Sequence, residues 1–490
     1  MTYSNMRRHS ALTALAALSL TIVAACEKPE PPLDRTKPPA LGTAEALKLP
    51  NMVEKTLPNG LKLVVVEQHE MPLVDIALVI RTGAEADPVG KGGLATLTAN
   101  MLDEGAGTRD ALGIADQVGF LAIDLGTGSS WDQSTISLHS TKATLDSALA
   151  LMADVALRPT FAEKEFTRLH NDRLTSLLQE QDRGPAIADR AFSTIVFGED
   201  NAYGHSVSGS RETIENVVRD DVQNFWRTWY VPNNATLVVV GDLTVAEAEQ
   251  RATALFGNWA QTTLPTLAAV QAAPPAQDSK IYIVDKPNAP QTSFRLGSVG
   301  VARSTEDYYP IQVLNTALGG SFTSRLNQNL RETKGFTYGA SSRFAMRRDA
   351  GPFLASAEIV AEKTDSAMIE FMKELNGIRQ PMSAEELEKT KQYLQLGYPE
   401  NFESTSDIAR AIAGLVPYSL PLSTLNDFQG KIGSVTSADV ERTAKAHIDP
   451  AKMSLVVVGD RKSIEPALKA LKIAPVEVRD LRGRPTNIVP

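Results

Sequence analysis

Imidazole is the side chain that most often holds a catalytic metal or moves a proton near neutral pH. The chain has six: His9, His69, His139, His170, His205 and His447. No two lie within five positions of each other. A helix-borne zinc site needs two imidazoles one turn apart with a carboxylate between them as general base. Neither H-x-x-E-H nor H-E-x-x-H therefore exists in this sequence, and only a site gathered from distant residues stays open. A different chemistry is offered by Arg331 and Tyr338. Leu326 and Leu330, with Phe322, mark one face of a predicted helix, and Gly335 is its expected stop. Phe336-Thr337-Tyr338 then alternates like a strand. A guanidinium late in the helix and a phenol early in the strand could face one cavity, where their N–H and O–H donors suit a carbonyl or oxyanion. The alternative is that Arg331 caps the helix and Tyr338 packs on a sheet face.

Other residues read blandly. His205 in Tyr203-Gly204-His205 is expected at the surface or in packing. His170 lies near Arg168 and Asp172, on a predicted solvated helix face. Gly126-Thr127-Gly128 lacks the lysine and the strand–helix context of a phosphate loop. Arg347-Arg348 is too short for a nucleic-acid patch.

The elements around these residues follow from pattern and composition. The chain is 43% hydrophobic and 22% charged, which is globular usage and allows large cores without staples. A net charge of -9 gives no footprint for nucleic acid. Arg7, Arg8 and His9 precede an uncharged run from Ala11 to Ala25, too short to span a bilayer and suited to a signal h-region. The run ends Val23-Ala24-Ala25-Cys26, which resembles a bacterial lipobox. Residues 1–25 are thus expected to be a lipoprotein signal peptide and Cys26, the only cysteine, the lipidation site. Cleavage removes two arginines and no acid, taking the charge from -9 to -11. The stretch 26–49, with Pro29, Pro31, Pro32, Pro38 and Pro39, is an expected tether. The expected location is membrane-anchored, exported, and facing the periplasm.

Two segments nearly repeat: Thr236-Leu237-Val238-Val239-Val240-Gly241-Asp242 and Ser454-Leu455-Val456-Val457-Val458-Gly459-Asp460, 218 positions apart. The same offset relates Leu63-Val64-Val65-Val66, before Pro72, to Ile281-Tyr282-Ile283-Val284, before Pro290. One such match is easily chance; two at one offset point to a duplicated domain of about 200 residues. Helices are predicted over 92–104, 143–157 and 161–181, and over 308–318 and 364–378. Strands and helices without strict alternation give an α+β fold. It comprises two homologous domains, each a mostly antiparallel sheet packed with helices. The domains are expected at 50–261 and 280–475, with a Pro-containing linker at 262–279 and a tail at 476–490.

Within this frame the sequence resembles the pitrilysin/insulinase-type, mitochondrial processing peptidase-like metallopeptidase family. The resemblance covers roughly residues 50–475. It rests on Leu57-Pro58-Asn59-Gly60-Leu61, Gly92-Gly93-Leu94-Ala95, Gly105-Ala106-Gly107-Thr108, Arg158-Pro159-Thr160-Phe161 and Tyr203-Gly204. Its most specific part is Gly319-Gly320-Ser321-Phe322-Thr323-Ser324-Arg325-Leu326, running into Leu330-Arg331-Glu332-Thr333-Lys334-Gly335-Phe336-Thr337-Tyr338. The family's zinc helix reads G-L-A-H-x-x-E-H. Here the two histidine positions fall on Thr96 and Asn100 and the general base on Ala99. The third ligand falls near Leu177, with Glu180 close by. Threonine and asparagine offer neutral oxygens and alanine takes no proton, so no metal is expected in this chain. In active members an Arg and a Tyr of the second domain hold the substrate backbone and stabilise the oxyanion. The resemblance places those roles on Arg331 and Tyr338. It implies a non-catalytic, substrate-positioning subunit of a heterodimer, with Zn2+ in a homologous H-x-x-E-H partner, peptide substrates, and no nucleic acid. The alternative is a peptidase-like scaffold or peptide-binding lipoprotein with no part in proteolysis.

Overall fold

The computed structural model describes residues 47–270 and 278–486. The expected signal peptide, Cys26 and nearly all of the tether lie outside them. Fourteen strands are found among the described residues. The first sheet has the order β1-β2-β8-β3-β7-β6 and the second β11-β12-β10-β13-β9-β14. Its strands are β1 (Met52–Thr56), β2 (Lys62–Glu67), β3 (Leu73–Ile80), β6 (Asp124–Ser129), β7 (Ser134–Thr141) and β8 (Ala235–Gly241). The second uses β9 (Lys280–Asp285), β10 (Gln291–Val299), β11 (Thr337–Phe344), β12 (Pro352–Val360), β13 (Ser454–Gly459) and β14 (Val476–Arg479). A separate two-residue hairpin joins β4 (Gly105–Ala106) to β5 (Arg109–Asp110).

The repeat seen in the sequence is a repeat of topology. In the first half β2 runs parallel to β8, which pairs antiparallel with β3. In the second, β9 runs parallel to β13, which pairs antiparallel with β10. The fold is α+β with mostly antiparallel sheets, as the pattern predicts. The halves differ at one edge. β1 closes the first sheet antiparallel to β2, whereas β14 closes the second parallel to β9. The expected tail at 476–490 therefore begins as a sheet strand.

The β-branched runs are continuous because both faces of each sheet are covered. Side chains alternate across a strand, so neighbours enter different cores. Leu63 and Val65 join the core beneath the first half's own helices, while Val64 and Val66 point the other way. Ile281 and Ile283 divide in the same way from Tyr282 and Val284. The outer faces are covered by an exchange of helices. The first half contributes α1 (Leu94–Asn100), α2 (Leu145–Leu157), α3 (Glu163–Glu180), α4 (Gly184–Phe197) and α5 (Arg219–Trp229). The second contributes α6 (Tyr308–Asn315), α7 (Thr364–Gly377), α8 (Thr405–Ala413) and α9 (Ser437–His447). Ile187, Ala188 and Phe192 of α4 pack on the second sheet against Val456 and Val458. Ile408, Ala409 and Ile412 of α8 pack on the first sheet against Val238 and Val240. The linear segments 50–261 and 280–475 are thus not the packing units, since each lends the other a helix. Residues 262–270 of the expected linker have no regular structure, yet Leu264 and Leu267 pack on the first core and Val270 on the α4 cluster.

Candidate functional site

The degenerate positions sit where the sequence puts them, on a helix shorter than the predicted 92–104. Helix α1 begins at Leu94 because Gly93 adopts φ +97° and Asp87 caps the turn. The Asp87 carboxylate accepts the N–H groups of Gly93 at 2.7 Å and Ala95 at 2.8 Å. Burial pushes its acid up to about 8, against the pull of those N–H donors. A side chain at Gly93 would put its Cβ 2.9 Å from the Ser208 carbonyl oxygen, so glycine is required there on two counts. Thr96 donates its hydroxyl to the Val207 carbonyl at 2.9 Å. Ala99 is fully buried and Asn100 is exposed.

Thr96 and Asn100 share a small cavity of about 200 Å³ with Leu169, Asp172, Arg173 and Ser176 of α3. Leu177 is only 1% exposed and does not line it. Ser176 is the α3 residue that shares the cavity at this level of the helix, and Glu180 lies one turn beyond. Glu180 is engaged by Arg173 at 2.9 Å and by Arg190 at 3.6 Å. Arg173 also donates to the Ser208 carbonyl at 2.9 Å. The family's zinc does not fit these residues. A hydroxyl already donating, an alanine, an amide and a guanidinium replace the expected imidazole–carboxylate set. Among the described residues no group of three His, Cys, Asp or Glu side chains is placed to hold a metal ion.

Of the second-half residues, Tyr338 faces outward and Arg331 is half-exposed, 3.4 Å from the Glu332 carboxylate. The expected helix is an α-turn, Arg325–Asn327, continued by a π-helix, Gln328–Thr333, and Gly335 ends it at φ +64°. π-Helical turns cluster at functional sites. Leu326 and Leu330 are buried as predicted. Phe322 is not on the helix: it precedes the cap residue Ser324 and is 62% exposed. Helix packing did not need a third apolar residue, because the first turn starts only at Arg325. The Arg331 guanidinium lies 4.5 Å from the centre of the Phe322 ring, within cation–π range. Tyr338 sits on β11 at a bulge between Thr337 and Ala340 and is 90% exposed. The Thr337 hydroxyl holds the bulge, lying 2.9 and 2.8 Å from the Gly339 and Glu358 carbonyls and accepting the Gly339 N–H at 3.1 Å. Bulges re-aim side chains, and this one turns the phenol away from the sheet. No hydrogen bond joins Arg331 to Tyr338 directly. Their elements are tied by Asn327, which is buried: its amide donates to the Phe322 carbonyl at 2.7 Å and accepts the Ala340 N–H at 3.2 Å.

Sequence reasoning passed over a third cluster, at the junction of the halves. Arg347 is buried, its guanidinium 4.0 Å from the Trp131 ring centre and 4.3 Å from that of Tyr203. Burial lowers its affinity for the proton, to a value of about 10. Arg348 pairs with Glu85 at 2.5 Å and donates to the Arg81 carbonyl at 2.8 Å. Burial and neighbouring Asp132 push Glu85 up to about 9. Tyr418 donates to Asp132 at 2.9 Å. The pair set aside as too short for nucleic acid is therefore a cross-half clasp. Its only sequence signal was two adjacent arginines, which pattern alone does not distinguish from a solvated pair. His170 is also not solvated: its Nε2 lies 2.8 Å from the Ile214 carbonyl and its ring packs on Phe166. His205 is a packing histidine, against Trp131, and burial lowers its proton affinity.

Two family models match the chain: "Insulinase (Peptidase family M16)" over residues 62–201 and "Peptidase M16 inactive domain" over residues 216–394. An uncharacterized zinc protease of Rickettsia bellii is 24% identical over 406 residues, 82% of this chain and 96% of that protein. The non-peptidase homolog YmxG of Helicobacter pylori is 23% identical over 401 residues, 81% of this chain and 91% of that protein. The solved peptidase M16 inactive domain of Pseudomonas fluorescens superposes with a TM-score of 0.77 at 28% identity, covering 84% of this chain and 98% of that one.

Proposed function

Since the chain belongs to the insulinase (M16) peptidase family, we propose that it serves as the substrate-positioning, non-catalytic half of a two-chain zinc peptidase. The chain has a peptidase-like scaffold. One contrast carries the proposal. The first-half positions that hold zinc in the family carry a threonine hydroxyl taken by the Val207 carbonyl, a buried alanine and an exposed amide, whereas Tyr338 is exposed and Arg331 half-exposed on elements pinned by a buried amide. A chain kept only as a scaffold has no need to hold a guanidinium and a phenol at the surface on a π-helix and a bulge.

In this reading a homologous partner with H-x-x-E-H supplies the zinc and the general base. Arg331 and Tyr338 donate to the peptide carbonyl as negative charge develops on its oxygen. Lipid on Cys26 holds the pair at a membrane, facing the periplasm, and peptides or unfolded segments are the substrates. The test is to purify the chain alone and with a co-expressed zinc-bearing homologue and to follow hydrolysis of a fluorogenic peptide. Activity of the mixture only, lost on changing Arg331 or Tyr338, supports the proposal. Full activity and stoichiometric zinc in the lone chain would end it. The Helicobacter pylori relative, named a non-peptidase homolog, favours the second reading, a scaffold with no part in proteolysis. That reading expects Arg331→Ala and Tyr338→Phe to leave function intact.

A further inference from the structure

The residues placed beside Arg331 have a chemistry of their own. Phe322 is a large apolar side chain left 62% exposed, in a loop with little freedom. Gly319 admits no side chain, since a Cβ there would lie 2.3 Å from the Ser342 backbone nitrogen. Ser321 donates its hydroxyl to the Thr316 carbonyl at 3.1 Å. Asn327 fixes the Phe322 carbonyl from beneath at 2.7 Å. An exposed aromatic ring on a fixed backbone gives up little conformational entropy on contact, which favours recognition. The Arg331 guanidinium, 4.5 Å from the ring centre, lies against part of the ring, and the exposed remainder is open to a ligand.

Asn327 is more than a local tie. It lies four positions before Arg331, holds the Phe322 loop with its N–H, and holds the β11 bulge through Ala340 with its oxygen. One buried amide thus sets the relative placement of Phe322, Arg331 and Tyr338. An amide can donate to a carbonyl with one atom and accept from an N–H with another at that point; a carboxylate lacks the donor and an apolar residue lacks both.

We infer that Phe322 forms a subsite for a large apolar or aromatic side chain of the bound peptide, and that Asn327 is the positioning residue that keeps this subsite in register with Arg331 and Tyr338. This rests on the peptide-positioning reading above. The ring meets the side chain while Arg331 and Tyr338 hold the peptide backbone, so the chain contributes side-chain selectivity as well as backbone alignment.

The test uses fluorescein-labelled nonapeptides of glycine, serine and alanine with Phe, Leu, Ala or Glu at the centre. Their binding to the full chain alone is followed by anisotropy. The Phe and Leu peptides are expected to bind about tenfold tighter than the Ala peptide, the discrimination an apolar contact of this size supplies. Phe322→Ala reduces that ratio to within about twofold, Phe322→Tyr keeps it, and Tyr393→Ala, exposed on another helix (Ala384–Gly397), does not alter it. Asn327→Ala and Asn327→Asp weaken the Phe peptide more than the Ala peptide, which a merely structural loss would not do. Equal binding of all four peptides, or a preference that survives Phe322→Ala, overturns the subsite. The same peptides, cleaved by the mixture with the zinc-bearing homologue, separate the two ideas. Selective binding with no hydrolysis by any pair keeps the subsite and removes the subunit reading. Hydrolysis that needs Arg331 but ignores Phe322 does the reverse.

Discussion

The two halves share one topology, yet the equivalent of a catalytic helix in the first and the Arg331 segment in the second have gone opposite ways. Around α1 several polar groups near the degenerate positions have internal partners: Thr96 with Val207, Arg173 with Ser208 and Glu180, Asp87 with the helix N-terminus. Around Arg331 the buried amide of Asn327 is satisfied, Phe322 and Tyr338 are exposed, and Arg331 stays half-exposed beside Glu332 at 3.4 Å and the Phe322 ring. A region whose polar groups are turned mostly to backbone and to internal ion pairs is held as structure. A region that keeps solvent-facing donors on a rigid base retains the means to bind. Substitutions in each region should therefore act on different observables.

The largest effect is expected from Arg331→Ala in the mixture with a zinc-bearing homologue: a fall in kcat/KM of about 10²–10³, the size seen for loss of one oxyanion donor. Asn100→Ala, on the closed side, is expected to change it less than about twofold, as surface changes away from a site do. Comparable losses from the two would erase the distinction between the regions.

Next in size is an attempt to reopen the closed side. Thr96→His, Ala99→Glu, Asn100→His and Ser176→Glu together supply a zinc donor set, but Arg173 still lines the same cavity. A fixed guanidinium repels the ion and competes for the new carboxylates, so adding Arg173→Ala is expected to tighten zinc binding by about 10–100-fold, the scale of neighbouring-shell effects. Isothermal titration with zinc reads this directly. Equal affinity with and without Arg173 would show that the lost ligands alone closed the site.

A smaller effect concerns pH. Burial raises Glu85 to about 9 and Asp87 to about 8, each well above its unfolded value. Between pH 4 and those values the folded chain holds protons that the unfolded chain has released. Stability is then fully present below the unfolded values and falls as pH rises through the folded ones. The Tm is expected to drop by about 5 °C between pH 5.5 and 8.5, and Glu85→Gln with Asp87→Asn to flatten that slope. A Tm that rises over this range would mean that the N–H donors and Arg348 outweigh burial.

The fold was largely legible because its strongest signals are local. The valine runs, the common offset of 218 positions and the helices predicted at 143–157 and 364–378 survive in the structure, the latter as Leu145–Leu157 and Thr364–Gly377. The exchange of α4 and α8 was not legible. Both helices have an apolar face, and nothing local says which sheet that face will meet. The positions of Thr96, Ala99 and Asn100 follow from the motif's frame. Their neighbours Arg173 and Ser176 do not, because a helix about 70 residues away supplies them. Phe322 was misassigned to the helix because its spacing to Leu326 fits a turn, while the cap at Ser324 starts the helix only at Arg325. Asn327 was invisible for a related reason: its two partners lie 5 and 13 residues away on different elements.

The smallest contrast sets two glycines against each other, one in each region. Both have positive φ, +97° at Gly93 and +64° at Gly335. At Gly335 a Cβ meets nothing within 4 Å, so Gly335→Ala carries only the left-handed penalty, about 1 kcal/mol. At Gly93 a Cβ would lie 2.7 Å from the Ile214 side chain and 2.9 Å from the Ser208 carbonyl. Gly93→Ala then adds an overpacking cost of about 1–3 kcal/mol to the same penalty. Urea denaturation with the two variants measures both at once. Gly93→Ala is expected to lose clearly more stability, since it drives α1 away from its cap on Asp87, while Gly335→Ala relaxes into open space. If the two costs were equal, the packing around α1 would be looser than its hydrogen bonds imply, and the closed region would be closed by chemistry alone rather than by shape.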